Sequence, residues 1–520
     1  MPWVKDTAFA VKTRYDAMAI TLLCYCLAAC VSTAQGTFRN DWETGSPEDV
    51  GLNSTDLVQI FDFVRQREIP VHSVQIVREG KLVLDAYFYP YDSKMRHDVA
   101  SVTKSITSTL IGLAIQKGVI RDVQQPLLSF FPNRSVANRD ARKQKLTLEH
   151  LLTMQAGWDC GTQLNDPAIN VDPRLAEMRR SADWIQTALD LPMVAEPGTR
   201  FAYCNANCHL LSAIVSKTTG TNVLGFVRRE LFEPLGIRDV AWPTDPHGHN
   251  HGWGDLQLHP RDMARLGQLF LQRGRWGDRQ LISEQWLGEA TRIRVEQTGG
   301  NDRYGYLWWI PGENYPGVFE AVGRGGQRIT VWPAQQLVIV FTGGGFETGD
   351  VVKFILKAMK SDGPLPANGE AATRLQKEIV AATKAPLAQP VAKPPAMAAR
   401  VSGKTFKVSA NNFGVSTLRL RFDDSAEAQA ELLWNGQRVP VRIGLDSVER
   451  FSPNPLVNLP QAAKGEWVGE NTFVLRLDLV GAINFYRLKL TFPDDGKKVV
   501  VELNERTGLN NEQFSGEASN

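Results

Sequence analysis

Three short stretches of this chain carry residue types that do chemistry at meaningful spacing. The first is Ser101-Val102-Thr103-Lys104. A serine and a lysine three residues apart in a helix share a face, within about 6 Å at Cβ, which brings an amine to a hydroxyl that is otherwise a poor nucleophile. Ser101 is the only serine with lysine at the third following position. The second is Tyr203-Cys204-Asn205, the only Tyr-x-Asn in the chain, placed after the turn Glu196-Pro197-Gly198-Thr199. A phenol held beside a lysine ammonium is favoured as phenolate and becomes a proton acceptor. The third is Gly323-Arg324-Gly325-Gly326-Gln327, directly before a β-rich run. Glycines there let backbone N–H groups approach a ligand as an oxyanion hole requires. Lys217-Thr218-Thr219-Gly220 is set aside, because Gly220 reads as an ordinary helix C-cap.

The elements that position these residues follow from periodicity. Ser54 to Arg67 reads as a helix capped by Asn53 or Ser54. Val74–Val77 and Leu82–Phe88 flank the turn Arg78-Glu79-Gly80-Lys81, a hairpin. Ile106, Leu110 and Ala114 repeat at helical spacing behind Ser101, and Gly118 ends that helix. Helical patterns dominate to about residue 240, including Asn207–Ser216, with loops at Gly157–Pro173 and Ala195–Arg200; Pro260–Arg275 and Glu284–Thr291 follow. Tyr306–Ile310, Arg328–Trp332 and Leu337–Thr342 then read as strands, and Asp350–Met359 as a closing helix. Strands at both ends with helices between imply a sheet assembled from distant segments, an α+β arrangement. A helical and Pro/Ala-rich connector at 366–397 separates this region, 36–365, from an all-β domain at 398–520, a barrel or sandwich to which no chemistry is assigned.

Composition sets bounds. The 520 residues suffice for two or three domains, and 43% hydrophobic with 22% charged residues is ordinary for a globular protein. A net charge of +2 without dense basic runs argues against nucleic acid as a partner. Lys5, Lys12 and Arg14 precede the apolar run Ala17–Ala29, which predicts a signal peptide over 1–30. Its end, Leu27-Ala28-Ala29-Cys30, resembles a bacterial lipobox, so Cys30 is the expected lipidation site; Ser32-Thr33-Ala34 offers an ordinary cleavage site instead. The expected location is periplasmic or outer-membrane-anchored, with secretion as the alternative. The mature chain keeps Cys160, Cys204 and Cys208, without a C-x-x-C pair. His247, His249 and His251 alternate and would share a face in an extended segment, but no carboxylate cluster adjoins them, so no metal is expected. His150 reads as structural, and Trp158, Trp253 and Trp309 as cleft-lining or core residues.

The three motifs in this order resemble the serine β-lactamase-related superfamily, which includes class C β-lactamases, D-alanyl-D-alanine carboxypeptidases, family VIII esterases and 6-aminohexanoate-dimer hydrolases. The resemblance covers roughly residues 45–360 and extends to Leu148–Gly157, Leu258–Ala264 and Tyr304–Trp309. It implies an antiparallel sheet with flanking helices, an all-helical lobe, and a site between them. By position it implies Ser101 as acylated nucleophile and Lys104 with Tyr203 as general base and acid. Asn205 would bond Lys104 and substrate. Arg324, Gly325, Gly326 and Gln327 would form the substrate-binding strand, with one of their N–H groups joining that of Ser101 as the oxyanion hole. No cofactor is implied. Cys160 and Cys204 match a family pair, with Cys208 the alternative partner. The departure is Arg-Gly-Gly where β-lactamases carry Lys or His, Thr and Gly: Gly325 lacks the hydroxyl that helps hold a substrate carboxylate, while Arg324 keeps a cation. The expected substrate is a small ester or amide. β-Lactamase or D,D-peptidase activity and a non-catalytic sensor are the alternatives.

Overall fold

In the computed structural model, residues 42–160, 173–296, 303–312, 315–423, 426–493 and 495–519 are described. The leader with Cys30 and most of the loop expected over 157–173 lie outside them.

Helix α1 (Ser54–Arg67) starts where the Asn53 side chain accepts the Asp56 N–H and stops at Glu68, whose φ is 50°. Its Leu57, Ile60, Phe61 and Val64 fall at helical spacing and are buried. They pack on a sheet begun by β1 (Val71–Arg78) and β2 (Lys81–Tyr87), the expected hairpin. The sheet continues through three short strands, β3 (Val295–Glu296), β4 (Arg303–Tyr304) and β5 (Trp309–Ile310). It is completed by β6 (Phe319–Gly323), β7 (Gln327–Trp332) and β8 (Leu337–Gly343). The order is β2-β1-β8-β7-β6-β5-β4-β3, antiparallel throughout. The N-terminal hairpin thus joins strands more than 250 residues later, with Ile76 opposite Ile339.

Every residue of β1 and of β8 is buried, because helices cover both sheet faces. Leu337, Ile339 and Phe341 face α1 together with Val351 and Ile355 of the closing helix Gly349–Ala358. Val338 points the other way, where a Cβ on Gly267 would lie 2.5 Å from its Cγ1; helix Pro260–Leu271 therefore presses directly on that face. The strand expected over Tyr306–Ile310 shrinks to Trp309–Ile310. Leu307 takes φ 60° and its N–H bonds Leu152 O at 3.0 Å, so this stretch is spent on tying the helical lobe to the sheet. That lobe holds Leu148–Leu152, Trp184–Leu189 and α3 (Asn205–Thr219), the last longer at both ends than its periodicity predicts.

After helix Gly369–Ala382 and an exposed proline-rich stretch, ten antiparallel-paired strands run from Thr405 to Ser519. A parallel contact of Gly444 with Lys464 closes them into a barrel. Its core, including Phe406, Phe473, Leu477, Leu490 and Val501, is separate from that under the mixed sheet. Residues Glu43–Asn520 nonetheless form one compact unit, and turns of the barrel reach the catalytic-motif region. Among the described residues no helix is long and apolar enough to cross a membrane.

Candidate active site

The Ser101 turn is built backwards from its helix. Asp98 Oδ1 accepts the Ala100 N–H at 2.8 Å, and Ala100 sits at φ 47°, a strained left-handed value for a side-chain-bearing residue. Val102 N–H then bonds Val99 O at 3.1 Å and Lys104 N–H bonds Ser101 O at 2.9 Å, so Ser101 enters α2 (Val102–Gln116) at φ −71°, ψ −5°. Thr103 N–H likewise bonds Ala100 O at 3.1 Å, so the first-turn N–H groups are spent on the turn itself. What this end offers an oxyanion is the Ser101 N–H with the positive end of the helix dipole behind it.

Lys104 is 1% exposed, and its ammonium is compensated on three sides. Nζ donates to Ser101 Oγ at 2.9 Å and to the Trp253 carbonyl at 2.9 Å. It also lies 4.7 Å from the centroid of the Tyr203 ring. A buried cation without such partners would be prohibitively costly. Tyr203 is half-buried and stacks on Trp309 with centroids 6.0 Å apart. Its loop is anchored by Ala202 N–H to Met154 O at 2.8 Å, and by a disulfide between Cys160 and Cys204 with Cα atoms 5.5 Å apart. Asn205 opens α3 immediately after it. Cys208, one turn into α3, is a free buried thiol; burial pushes it up to about 12, with Lys104 pulling the other way, so it is an inert neighbour rather than a second nucleophile.

The third motif meets the first at a backbone contact. A Cβ on Gly323 would lie 2.5 Å from Val99 O and 3.1 Å from the Ala100 Cβ, so the end of β6 abuts the serine turn. Arg324–Gly326 forms one tight turn with Gly325 at φ 85° and Gly326 at φ 94°, values that favour glycine. Both positions are also sterically closed: added Cβ atoms would meet Ile483 Cγ2 and Phe346 Cε1, each at 2.4 Å. The Gln327 side chain is fully buried and spent on backbone. Its Nε2 donates to Gly343 O at 2.6 Å and to Arg324 O at 3.1 Å, and its Oε1 accepts Gly343 N–H at 3.1 Å. Of the substrate-binding residues expected here, Gln327 can therefore offer only main chain; its side chain braces the turn.

Other expectations resolve individually. The Thr147 N–H donates to His150 Nδ1 at 3.1 Å, closing the N-terminus of a short helix. The three alternating histidines diverge: His249 pairs with Asp245, and His251 with Asp255. Among the described residues no His/Cys/Asp/Glu group is arranged to hold a metal ion. Trp158 is core, donating to Asn207 Oδ1 at 2.8 Å, whereas Trp253 supplies a carbonyl to the site and stacks on His251.

Sequence reasoning missed the carboxylates behind the serine. Burial, with Asp255 adding to it, raises the Asp98 carboxyl to about 7 against the Ala100 N–H bond and the pull of Arg324 and Arg179. Burial acts likewise on Asp255, but bonds from His251 and Arg179 outweigh it and hold that group below the usual carboxylate range. A hydroxyl held by a buried amine beside a phenol, at a helix start and next to a glycine-rich strand end, is equipped for nucleophilic acyl transfer.

A family model, "Beta-lactamase", matches residues 56–354, more than half of the chain. The chain belongs to that family. It is similar to the 6-aminohexanoate-dimer hydrolase of Paenarthrobacter ureafaciens, 27% identical over 292 residues, 53% of this chain and 73% of that one. It is also similar to the D-alanyl-D-alanine-carboxypeptidase/endopeptidase AmpH of Escherichia coli (strain K12), 24% identical over 269 residues, 46% of this chain and 67% of that one. Among solved structures a family VIII carboxylesterase matches with TM-score 0.45 and 17% identity, covering 65% of this chain and 98% of that one. The protein is thus a serine hydrolase of the β-lactamase-related superfamily, with an aminohexanoate-dimer hydrolase and a carboxypeptidase among its relatives.

Proposed function

We propose that this chain cleaves a small ester or amide through an acyl-enzyme on Ser101. The observation that carries the reading is the 2.9 Å contact of Lys104 Nζ with Ser101 Oγ, made by an amine that also faces Tyr203. Ser101 Oγ attacks the substrate carbonyl carbon while its proton passes to the Lys104–Tyr203 pair. The tetrahedral oxyanion is held by the Ser101 N–H and one N–H of Gly325–Gln327. Collapse expels the alcohol or amine, which takes the proton back from the pair. Water, deprotonated by the same pair, then attacks the acyl carbon and releases the acid and the serine. Asn205 orients Lys104 and the substrate. The signal-like run over 1–30 and its lipobox-like end at Cys30 support an enzyme that works outside the cytoplasm, on a membrane through a lipid or free after cleavage.

β-Lactam or D,D-peptide turnover is the second reading, favoured by the retained cation at Arg324 and by a carboxypeptidase/endopeptidase among the relatives. Against it stands the missing hydroxyl at Gly325. Intact mass after incubation with activated esters, amides and penicillins decides. An adduct on wild type and none on Ser101→Ala supports the assignment, and its mass names the acyl group. Equal adducts on both proteins, or none on either, refute it. Nitrocefin turnover matching ester turnover reverses the order of the two readings.

A further inference from the structure

We propose that the C-terminal barrel forms one wall of the substrate site, with Ile483 as a size filter and Thr507 as a positioning residue for Arg324; this rests on the acyl-enzyme reading above. The loop after the barrel strand Thr472–Leu479 reaches both sides of the site. Gly481 O accepts the Asp98 N–H at 2.6 Å, three residues before Ser101. Two residues on, Ile483 is 3% exposed, and its Cγ2 lies 2.4 Å from where a Gly325 Cβ would be. The threonine that the third motif lacks has no room here: an aliphatic side chain from the barrel stands in its place.

The barrel turn between strands Lys498–Glu505 and Asn511–Ser519 handles the cation. Arg324 Nη1 donates to Thr507 Oγ1 at 2.7 Å. That hydroxyl gives its own proton to Glu505 Oε2 at 2.6 Å, so its lone pairs are left for the guanidinium. Glu505 is 3% exposed, and the same oxygen also accepts the N–H groups of Thr507 at 3.0 Å and Leu509 at 3.1 Å. The hydroxyl is therefore aimed, and it holds a guanidinium whose remaining donors are available to a carboxylate. The Thr507 methyl also lies 3.0 Å from a Gly345 Cβ position, and Gly345 N–H bonds Gly325 O at 3.0 Å, so this turn braces the glycine segment as well. The site so bounded suits a compact substrate with a carboxylate on the part that lies along Arg324–Gln327.

The test uses full-length wild type, Ile483→Ala, Thr507→Val and Thr507→Ser. Substrates are aryl esters of acetate, butyrate and hexanoate, alkyl esters of lengthening alcohol, and a glutarate monoester paired with its uncharged pentanoate analogue. Ile483→Ala is expected to raise kcat/KM for the longest member relative to the shortest by about tenfold, in the acyl or the alcohol series. Thr507→Val is expected to lower kcat/KM for the glutarate ester relative to pentanoate by about tenfold, through KM, and Thr507→Ser to restore the ratio. Unchanged ratios in a wild type that acylates at Ser101, or an equal fall on every substrate, overturn the assignment. Absence of a Ser101 adduct in wild type overturns the acyl-enzyme reading, and this inference with it.

Discussion

Lys104→Met separates function from stability at one position. Methionine nearly matches the lysine stem in length and removes only the charge and its donors. The loss comprises the 2.9 Å bonds to Ser101 Oγ and to the Trp253 carbonyl. Ser101 is half-exposed and regains water; the Trp253 carbonyl loses a partner, at a cost of about 1–3 kcal/mol. Against this, a cation 1% exposed no longer has to be desolvated, an effect of several kcal/mol. Folding stability should therefore stay within about 2 kcal/mol of wild type or rise. Acyl transfer loses the amine half of the Lys104–Tyr203 pair that takes up the serine proton and should fall about 10²–10⁴-fold, or roughly 3–5 kcal/mol of barrier. Chemical denaturation and p-nitrophenyl ester turnover, with fluorophosphonate labelling of Ser101, measure the two quantities on one preparation. Turnover within tenfold of wild type, on a folded protein, would refute the role given to the amine.

Two further substitutions probe the surroundings. Burial raises the Asp478 carboxyl to about 7 despite the hydrogen bond from Tyr91 Oη, so its contribution to stability is present below pH 4 and lost as pH rises through 7. Asp478→Asn should thus gain on wild type as pH rises, by on the order of 2 kcal/mol at pH 8, and denaturation midpoints that shift in parallel from pH 4 to 8 would contradict this. Cys160→Ser frees the Tyr203 loop and should cost about 2–4 kcal/mol in stability with a larger proportional fall in kcat than in KM; a kinetic profile like wild type's would show that the loop keeps its place by hydrogen bonds alone.

Much of the scaffold is legible because local chemistry and tertiary role agree. Asn53 caps α1 as its type suggests, and β1 and β2 meet across Glu79-Gly80 between apolar runs. Within the barrel, Glu427–Trp434 and Gln437–Gly444 are joined by Asn435-Gly436, a strong turn signal that goes unread when attention stays on alternation, since Pro440 interrupts the second strand. Strand Leu459–Val468 runs Pro460-Gln461-Ala462-Ala463-Lys464-Gly465-Glu466 through its centre, with no β-branched or aromatic residue before Trp467, and cross-strand partners make it a strand. At the site, Ser101, Lys104 and Tyr203 are legible by type and spacing. The Trp253 carbonyl is not, because a main-chain acceptor has no residue signature. Ile483 and Thr507 are ordinary barrel residues until folding carries them to Arg324.

The pairing of β1 with β8 also has a temporal side. Residues 71–78 form a strand whose eight positions are all buried, yet one of its edges is completed only by residues 337–343. On a ribosome adding 5–20 residues per second, that edge waits roughly 13–50 s for its partner. The hairpin with β2 covers the opposite edge from the start. Until residues 337–343 are available, this fully buried strand is therefore an open template for foreign strands, and the helix that shields its face cannot close the gap. Yield of folded protein in the cell should depend on what occupies that edge before residue 337 arrives.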